Sequence, residues 1–320
     1  MIRQALVLCA GLGTRLRPLT DVRAKPALPV AGEPMIRRIV AWLVTRGVDD
    51  LVLNLHHRPE TLTAGLGDGR DLGARVRYSW ERPRILGSAG GPRLARPIVG
   101  AGTFLIVNGD TLTDVDLSHL ADAHAASGAL VTLALVPNRE FLRYGGVTVD
   151  TGGRVTGFVR RGPSAEGSFH YLGVQAVAAR VFDGIATGDA ASSIGGVYDA
   201  LIAAQPDAVR AVISDAAFYD VGTPADYWRT SQAFAAAEGR AFSSAGRGTR
   251  VDASARVTDS ILWDDVEVGA AAQLDECIVT DAVTVPPGAA HRREILVRGD
   301  DGRLLVSPLN LEPESVFSQM

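Results

Sequence analysis

Only one of the 32 lysine and arginine residues in this 320-residue sequence is a lysine, Lys25. Arginine fills the ordinary cationic positions. An ammonium kept against that bias marks a place where a compact, rotatable point charge is wanted instead of a planar fork. Cysteine is almost as scarce. Cys9 and Cys277 are too few for a disulfide framework, and Cys9, inside an apolar run, reads as a small buried thiol, which implies a reducing, cytoplasmic setting. No apolar run approaches the roughly 18 residues that a membrane span needs. The N-terminus shows no charged, apolar and small-residue succession of an export signal, so a soluble protein without a membrane partner is expected. Excess positive charge is missing as well: a net charge of −4 and a pI near 5.9 exclude a general polyanion-binding surface, and no nucleic-acid partner is expected. Phosphate binding, if present, has to be local.

What is present begins at residues 4–30, QALVLCAGLGTRLRPLTDVRAKPALPV. An apolar run ends at Gly11 and Gly13 and is followed by Arg15, Arg17 and Lys25, the pattern of a buried strand emptying into a cationic glycine loop. Glycines let backbone N–H groups approach a ligand and the cations neutralise charge, so the expected guest is a polyphosphate. Two commoner phosphate loops are excluded by spacing. A Walker A loop needs Gly-Lys-Ser/Thr after its second glycine, and the dinucleotide fingerprint needs a third glycine where Leu16 stands. As a loop residue, Lys25 is expected to be exposed with little part in packing.

Farther along, apolar positions in 34–47 recur at helical spacing. Strands are expected at 51–55, 74–79 and 103–107, with helices at 59–66 and 88–95 between them. Such alternation implies a mostly parallel, Rossmann-like sheet with helices on both faces, an α/β fold whose ligands gather at the carboxyl ends of the strands. Residues 130–136, 146–149, 154–159 and 171–177 are short strands with glycine-rich turns, an antiparallel insertion that could close over a ligand. Helices are expected at 193–204 and 224–238. His56 and His57 lack partners at metal-ligand spacing and read as hydrogen-bonded histidines.

Three carboxylate stretches carry alternatives. Asp110 ends an apolar strand in Asn108-Gly109-Asp110 and could hold a divalent cation or form a turn. Asp114-Val115-Asp116 could be the Asp-x-Asp of a metal-dependent glycosyltransferase, or Asp116 could cap the helix that starts at Leu117. Asp220 precedes Val221-Gly222-Thr223-Pro224, a turn into a helix with proline at its first position.

The string Gly11-Leu12-Gly13-Thr14-Arg15-Leu16-Arg17-Pro18-Leu19-Thr20, followed by Lys25-Pro26, resembles the signature of the sugar-1-phosphate nucleotidyltransferases, and the resemblance covers residues 4–238. It implies an NTP and a sugar 1-phosphate as substrates, an NDP-sugar and pyrophosphate as products, and Mg²⁺ as cofactor. By that resemblance Ala10, Gly11, Gly13 and Thr14 bind nucleotide, Arg15 and Lys25 are catalytic, and Asp110 and Asp220 hold the metal, Tyr227 strengthening the match around Asp220. Tyr144, Gly145, Arg160 and Gly173 would meet the sugar phosphate, although Tyr144-Gly145-Gly146-Val147 also reads as an ordinary hairpin. The chain departs from the family at Phe158-Val159-Arg160-Arg161-Gly162-Pro163, where many relatives have Glu-Lys-Pro. Arg160 and Arg161 could equally form a solvated strand edge.

Glu81, Gly87 and Ser88 resemble the base-recognition stretch, and Gly87-Ser88-Ala89-Gly90 looks most like the guanylyltransferase branch. A carboxylate can accept the adjacent N1–H and N2–H₂ donors of guanine, whereas it would repel the carbonyls of uracil or thymine. Glu81 could also be a solvated residue after its strand. GTP with mannose 1-phosphate, or a related sugar phosphate, is the expected pair. Uridylyl or thymidylyl transfer, a glycosyltransferase and an inactive regulatory paralogue are the alternatives.

Residues 239–250 turn to glycine, alanine, serine and arginine, a linker after the catalytic domain at 1–238. From 251 to 290, apolar residues recur about every six positions, which predicts a short left-handed parallel β-helix. Residues 291–320 read as a hairpin and tail. No phosphate or metal candidate lies beyond residue 247, so packing, regulation or homo-oligomer assembly is the role expected of the coils.

Overall fold

Ala5, Leu6 and Val7 are fully buried, and a strand apolar on both faces belongs inside a covered parallel sheet. In the computed structural model, which describes residues 2–243 and 245–311, β1 (Gln4–Leu8) lies at that position. The other strands of its sheet are β2 (Asp50–Leu55), β3 (Arg75–Trp80), β4 (Thr103–Asn108), β5 (Val131–Pro137), β6 (Gly146–Val149), β7 (Val155–Val159), β8 (Phe169–Ala178) and β9 (Val209–Ile213). Their order is β7-β6-β8-β4-β1-β2-β3, with β5 beside β8 and β9 beside β5. Pairing is parallel through β4, β1, β2 and β3 and antiparallel along β8. The middle strands therefore extend the main sheet. β8 bonds β4 along one edge and β5 along the other, with a register shift between Tyr171 and Gln175 in its pairing with β5. Leu6, Val52, Phe104, Ile106, Leu133 and Val177 lie in the core of this sheet.

Among the helices, α1 (Met35–Thr45), α2 (Pro59–Leu66) and α3 (Gly87–Val99) follow the expected pattern. Before α4 (Leu117–Ser127), the Asp116 carboxylate accepts from the amides of Ser118 at 2.9 Å and His119 at 3.1 Å. Those bonds hold its pKa below the usual carboxylate range, so Asp116 is a cap. The helix expected from residue 193 starts only at Tyr198 (α5, Tyr198–Ala204), because Ile194 is extended and Gly195 has φ 77°. The last, α6 (Pro224–Ala237), opens on a reciprocal cap between Thr223 and Asp226. Among the described residues no helix is long and apolar enough to cross a membrane.

Contacts divide the chain into two units that do not follow sequence order. Among the described residues, one holds those up to Gly11 and Ile36–Tyr219; the other holds Leu12–Met35 and those from Asp220 to residue 311. The glycine loop thus packs with α6 and the C-terminal coils, although by sequence order it belongs with residues 1–238. Inside this second unit the Tyr227 hydroxyl donates to the Pro29 carbonyl at 2.8 Å and accepts from the Trp263 indole N–H at 2.9 Å.

The coils form a parallel β-helix whose turn is 17 residues long. Val251, Val268 and Val285 stack, as do Ile261, Ile278 and Ile295. Three six-residue sides shortened by one residue explain why the sixfold apolar spacing slips along the sequence. Corners repeat with the same interval: Asp259, Glu276 and Arg293 have φ of 43°, 52° and 50°. A left-handed corner at a non-glycine residue costs about 1 kcal/mol or more, so ladders and the core of Leu262, Val268, Leu274, Val279, Val285 and Leu296 hold the coil. Glu294–Arg298 then pairs antiparallel with Leu304–Pro308. Of the hairpin and tail expected over 291–320, residues 312–320 lie outside the described residues.

Tyr227→Phe removes the hydroxyl that satisfies both the Trp263 N–H and the Pro29 carbonyl. Leaving buried polar partners unpaired costs about 1–3 kcal/mol, so the urea midpoint should fall at unchanged slope. A midpoint equal to that of the parent protein would show that the bridge contributes nothing.

Candidate active site

In the second unit the backbone at Gly13 is left-handed, with φ 62° and ψ 32°. A Cβ there would lie 2.7 Å from Thr20 Cγ2 and 3.3 Å from Lys25 Cβ, and the Thr20 hydroxyl donates to the Gly13 carbonyl at 2.9 Å. Glycine is thus required by both conformation and space. Gly11 differs, because a Cβ there meets nothing within 4 Å. Thr14 and Arg15 are exposed at the loop's tip. Lys25, expected to be exposed, is buried at 9% relative exposure. It opens a tight turn, Lys25–Ala27, and its ammonium lies 4.0 Å from an Asp220 carboxylate oxygen. Gly222 is the close-packed point of this group: a Cβ there would stand 3.0 Å from Asp220 Oδ2 and 3.3 Å from Arg15 Nη1. The second unit therefore gathers Arg15, Lys25 and Asp220 about the Gly222 turn.

In the first unit the carboxyl ends of β1 and β4 lie side by side, since the Gly109 amide donates to the Leu8 carbonyl at 2.9 Å. This places buried Ala10 and exposed Gly11 on the rim that carries half-buried Asp110. Cys9 is fully buried; burial, and secondarily the Asp110 charge, push its thiol pKa far up and leave it protonated.

Glu81 is not a solvated residue. It is fully buried, with one carboxylate oxygen accepting from Asn54 Nδ2 at 2.7 Å and the other from the Leu86 amide at 2.6 Å. Each oxygen thus has a donor from within the protein, and the solvated residue that was the alternative reading is ruled out. Asn54 Oδ1 in turn accepts from the Cys9 amide at 2.7 Å, and His56 Nδ1 is 2.9 Å from the Glu81 carbonyl. At Gly91 a Cβ would lie 2.3 Å from Glu81 Oε1, so the glycine admits the buried acid.

The N-terminus of α3 is likewise occupied from within. The Ala191 carbonyl accepts from the amides of Ala89 at 2.9 Å and Gly90 at 3.3 Å, and Ser88 Oγ accepts from the Ser193 amide at 2.9 Å. Gly87, exposed with φ 76°, would bring a Cβ within 2.7 Å of the Ala191 carbonyl.

On the sugar side, Tyr144 packs on His170 with ring centroids 4.4 Å apart and edge-on to Phe218 at 5.8 Å. Burial, helped by the Arg143 charge, lowers the His170 pKa to about 4, so the ring is neutral near pH 7. Gly145 and Gly146 lie close to the Val159 carbonyl and Ser168, the entry of the β6–β7 hairpin. Arg160 and Arg161 are exposed beyond edge strand β7. Gly173, φ 76°, allows β8 to pass Asn108, 2.7 Å from a built Cβ.

Sequence reasoning missed Asn54, the polar interruption in the run DLVLNL, and it missed Arg23. The Arg23 guanidinium donates to Asp281 at 2.6 Å twice and to Asp264 at 2.8 Å, and lies over the Trp263 ring. Nothing local in the sequence joins residues 241 and 258 positions apart. Among the described residues no three His, Cys, Asp or Glu side chains gather to hold a metal. Asp110 lies on the rim of the first unit and Asp220 beside Lys25 in the second.

The profile of the nucleotidyl transferase family matches residues 4–237, and that of a GlmU-like C-terminal hexapeptide matches residues 241–291. A mannose-1-phosphate guanylyltransferase of Mycobacterium tuberculosis is 31% identical over 90% of this chain and 83% of its own length. A D-glycero-alpha-D-manno-heptose 1-phosphate guanylyltransferase of Aneurinibacillus thermoaerophilus is 31% identical over 70% of this chain and 95% of its own. The solved structure of HddC from Yersinia pseudotuberculosis shares the fold with a TM-score of 0.61 at 22% identity, covering 73% of this chain and 100% of that one.

Gly13→Ala should lower the unfolding midpoint, because the methyl collides with Thr20 in a strained backbone. Gly11→Ala should stay within about 0.5 kcal/mol of the parent protein yet lose activity, as the phosphate-binding expectation for this loop requires, since a Cβ there meets nothing within 4 Å. Thermal unfolding and turnover of the pair separate the two glycines. Glu81→Gln turns an amide N–H₂ toward a donor and should cost about 1–3 kcal/mol without changing base preference; an altered preference at unchanged stability would show that Glu81 reads the base.

Proposed function

The chain belongs to the nucleotidyl transferase family, and from that membership we propose that it joins GTP to mannose 1-phosphate, or to a related hexose or heptose 1-phosphate, with release of pyrophosphate. The carrying observation is the placement of the chain's one lysine. Its ammonium is nearly buried beside Asp220, on a loop whose glycines and Arg15 suit a phosphate chain.

The reaction demands little covalent chemistry of the protein. A sugar phosphate oxygen attacks the α-phosphorus in line and pyrophosphate leaves, so no side chain becomes a nucleophile. Lys25 neutralises charge that builds on the reacting phosphates, and its low exposure strengthens that effect by excluding water. The Arg15 guanidinium and the backbone about Gly11 and Gly13 hold the phosphates that depart. Asp110 and Asp220 are each proposed as carboxylate ligands of Mg²⁺, which when bound neutralises phosphate charge. Tyr144, Gly145, Arg160 and Gly173 remain the proposed sugar-phosphate side, and Gly87 and Ser88 the proposed base side.

Kinship with two named guanylyltransferases supports GTP; the buried Glu81 carboxylate does not add to that support. The glycosyltransferase reading loses its motif, because Asp116 is a helix cap. Arg15, Lys25, Asp110 and Asp220 are all present, which disfavours a silent paralogue.

Pyrophosphate release from GTP, UTP, dTTP, CTP and ATP with a panel of sugar 1-phosphates tests the proposal. GTP with mannose 1-phosphate or a related sugar should show the highest kcat/KM. A preference for UTP or dTTP would reject the base, and no release with any pair would reject the reaction. Lys25→Met should lower kcat by roughly 10² to 10³, with arginine a poor replacement because its fork does not fit a point-charge site. Asp110→Asn and Asp220→Asn should each raise the Mg²⁺ concentration for half-maximal rate; an unchanged metal titration removes that residue from the metal's shell.

A further inference from the structure

Arg23 stands between two residues that shape the phosphate loop. On one side Thr20 holds Gly13 through its hydroxyl, and on the other Lys25 begins two residues later. Short turns stiffen this stretch, since the Arg23 amide donates to the Leu19 carbonyl at 3.2 Å and the Ala27 amide to the Ala24 carbonyl at 2.8 Å. The Arg23 side chain leaves the loop and enters the coils, where its side chain is 14% exposed and its partners Asp264 and Asp281 are 22% and 27% exposed. Two bonds to Asp281, one to Asp264 and the face of Trp263 restrict both the position and the tilt of the guanidinium. Asp281 also accepts from the Asp264 amide at 3.1 Å, so the two carboxylates are fixed to each other.

The neighbouring residue serves the other half of the ion pair. Trp263 donates to Tyr227, and Tyr227 lies on α6, which begins just after Asp220. Consecutive coil residues Trp263 and Asp264 therefore hold the two segments that carry Asp220 and Lys25. We infer that the parallel β-helix is a jig for the phosphate site, and that Arg23, bound to Asp264 and Asp281, is the positioning residue that transmits its geometry to Lys25. This goes beyond the packing, assembly or regulation expected of the coils, and it rests on the nucleotidyl-transfer reading for its kinetic arm.

Full-length Arg23→Met, Asp281→Asn, the double variant and the exchanged pair Arg23→Asp with Asp281→Arg provide the test. Misplacing a charge that acts in the transition state should lower kcat between tenfold and about a hundredfold, with KM for either substrate changed far less. Asp281→Asn should show the same split although it lies in the coils. The double variant should be no worse than the poorer single one, because both remove one interaction, and the exchanged pair should recover part of kcat. Parent-like kcat in Arg23→Met together with a lowered unfolding temperature would reduce Arg23 to a docking contact and overturn the proposal. Hydrogen exchange gives an arm that needs no turnover. Amides at 14–28 should exchange faster in Arg23→Met while those at 267–268 and 284–285 keep their protection, and unchanged exchange at 14–28 would overturn it. Absence of pyrophosphate release by the parent protein would reject the reaction, and the exchange arm would then decide the positioning role.

Discussion

A carboxylate withdrawn from water is costly unless its oxygens are paired, and the wholly buried Glu81 sets that constraint at the carboxyl edge of the sheet. Asn54 and the Leu86 amide satisfy it, and Asn54 passes the tie on to Cys9. The end of β1, the end of β2 and the residue after β3 are thereby held level, with the approach to α3 attached. Gly91 is needed because the acid occupies the space its side chain would take. A stretch that resembles a base-recognition motif is, in this chain, also the solution to a burial problem.

The second unit answers a different electrostatic requirement. Lys25 and Asp220 are largely removed from solvent, where a charge is strong but tolerates little displacement. Short, stiff turns and buried bonds meet that need better than a mobile loop. The links from Arg23 and Tyr227 into the coils supply them, and they explain why loop 12–35 packs with C-terminal coils far away in sequence. A three-stranded stack of coils thereby also gains the docking surface that so short a β-helix needs.

Nucleotidyl transfer needs position and charge more than reactive side chains, and the distribution of glycine fits that economy. Gly13, Gly87, Gly91 and Gly173 are each explained by a close neighbour or a left-handed backbone, whereas Gly11 is left with open space. Packing and ligand approach can thus be separated residue by residue within one motif.

Periodicity, turn residues and spacing were enough to determine the alternating α/β order, the turn into a helix at Pro224, the coil-forming C-terminus, and the cationic glycine loop with its single lysine. These features are local, set by backbone preference and by patterns repeating within a few residues. Three matters escaped them: the burial of Glu81 and Lys25, the 17-residue coil, and the attachment of Arg23 to Asp264 and Asp281. Burial depends on which surfaces meet, and a bond across 258 positions leaves no local trace. Composition and order determined which chemical groups this protein has; only tertiary packing decided which of them face a ligand and which face one another, because desolvation and charge pairing are properties of distance in space.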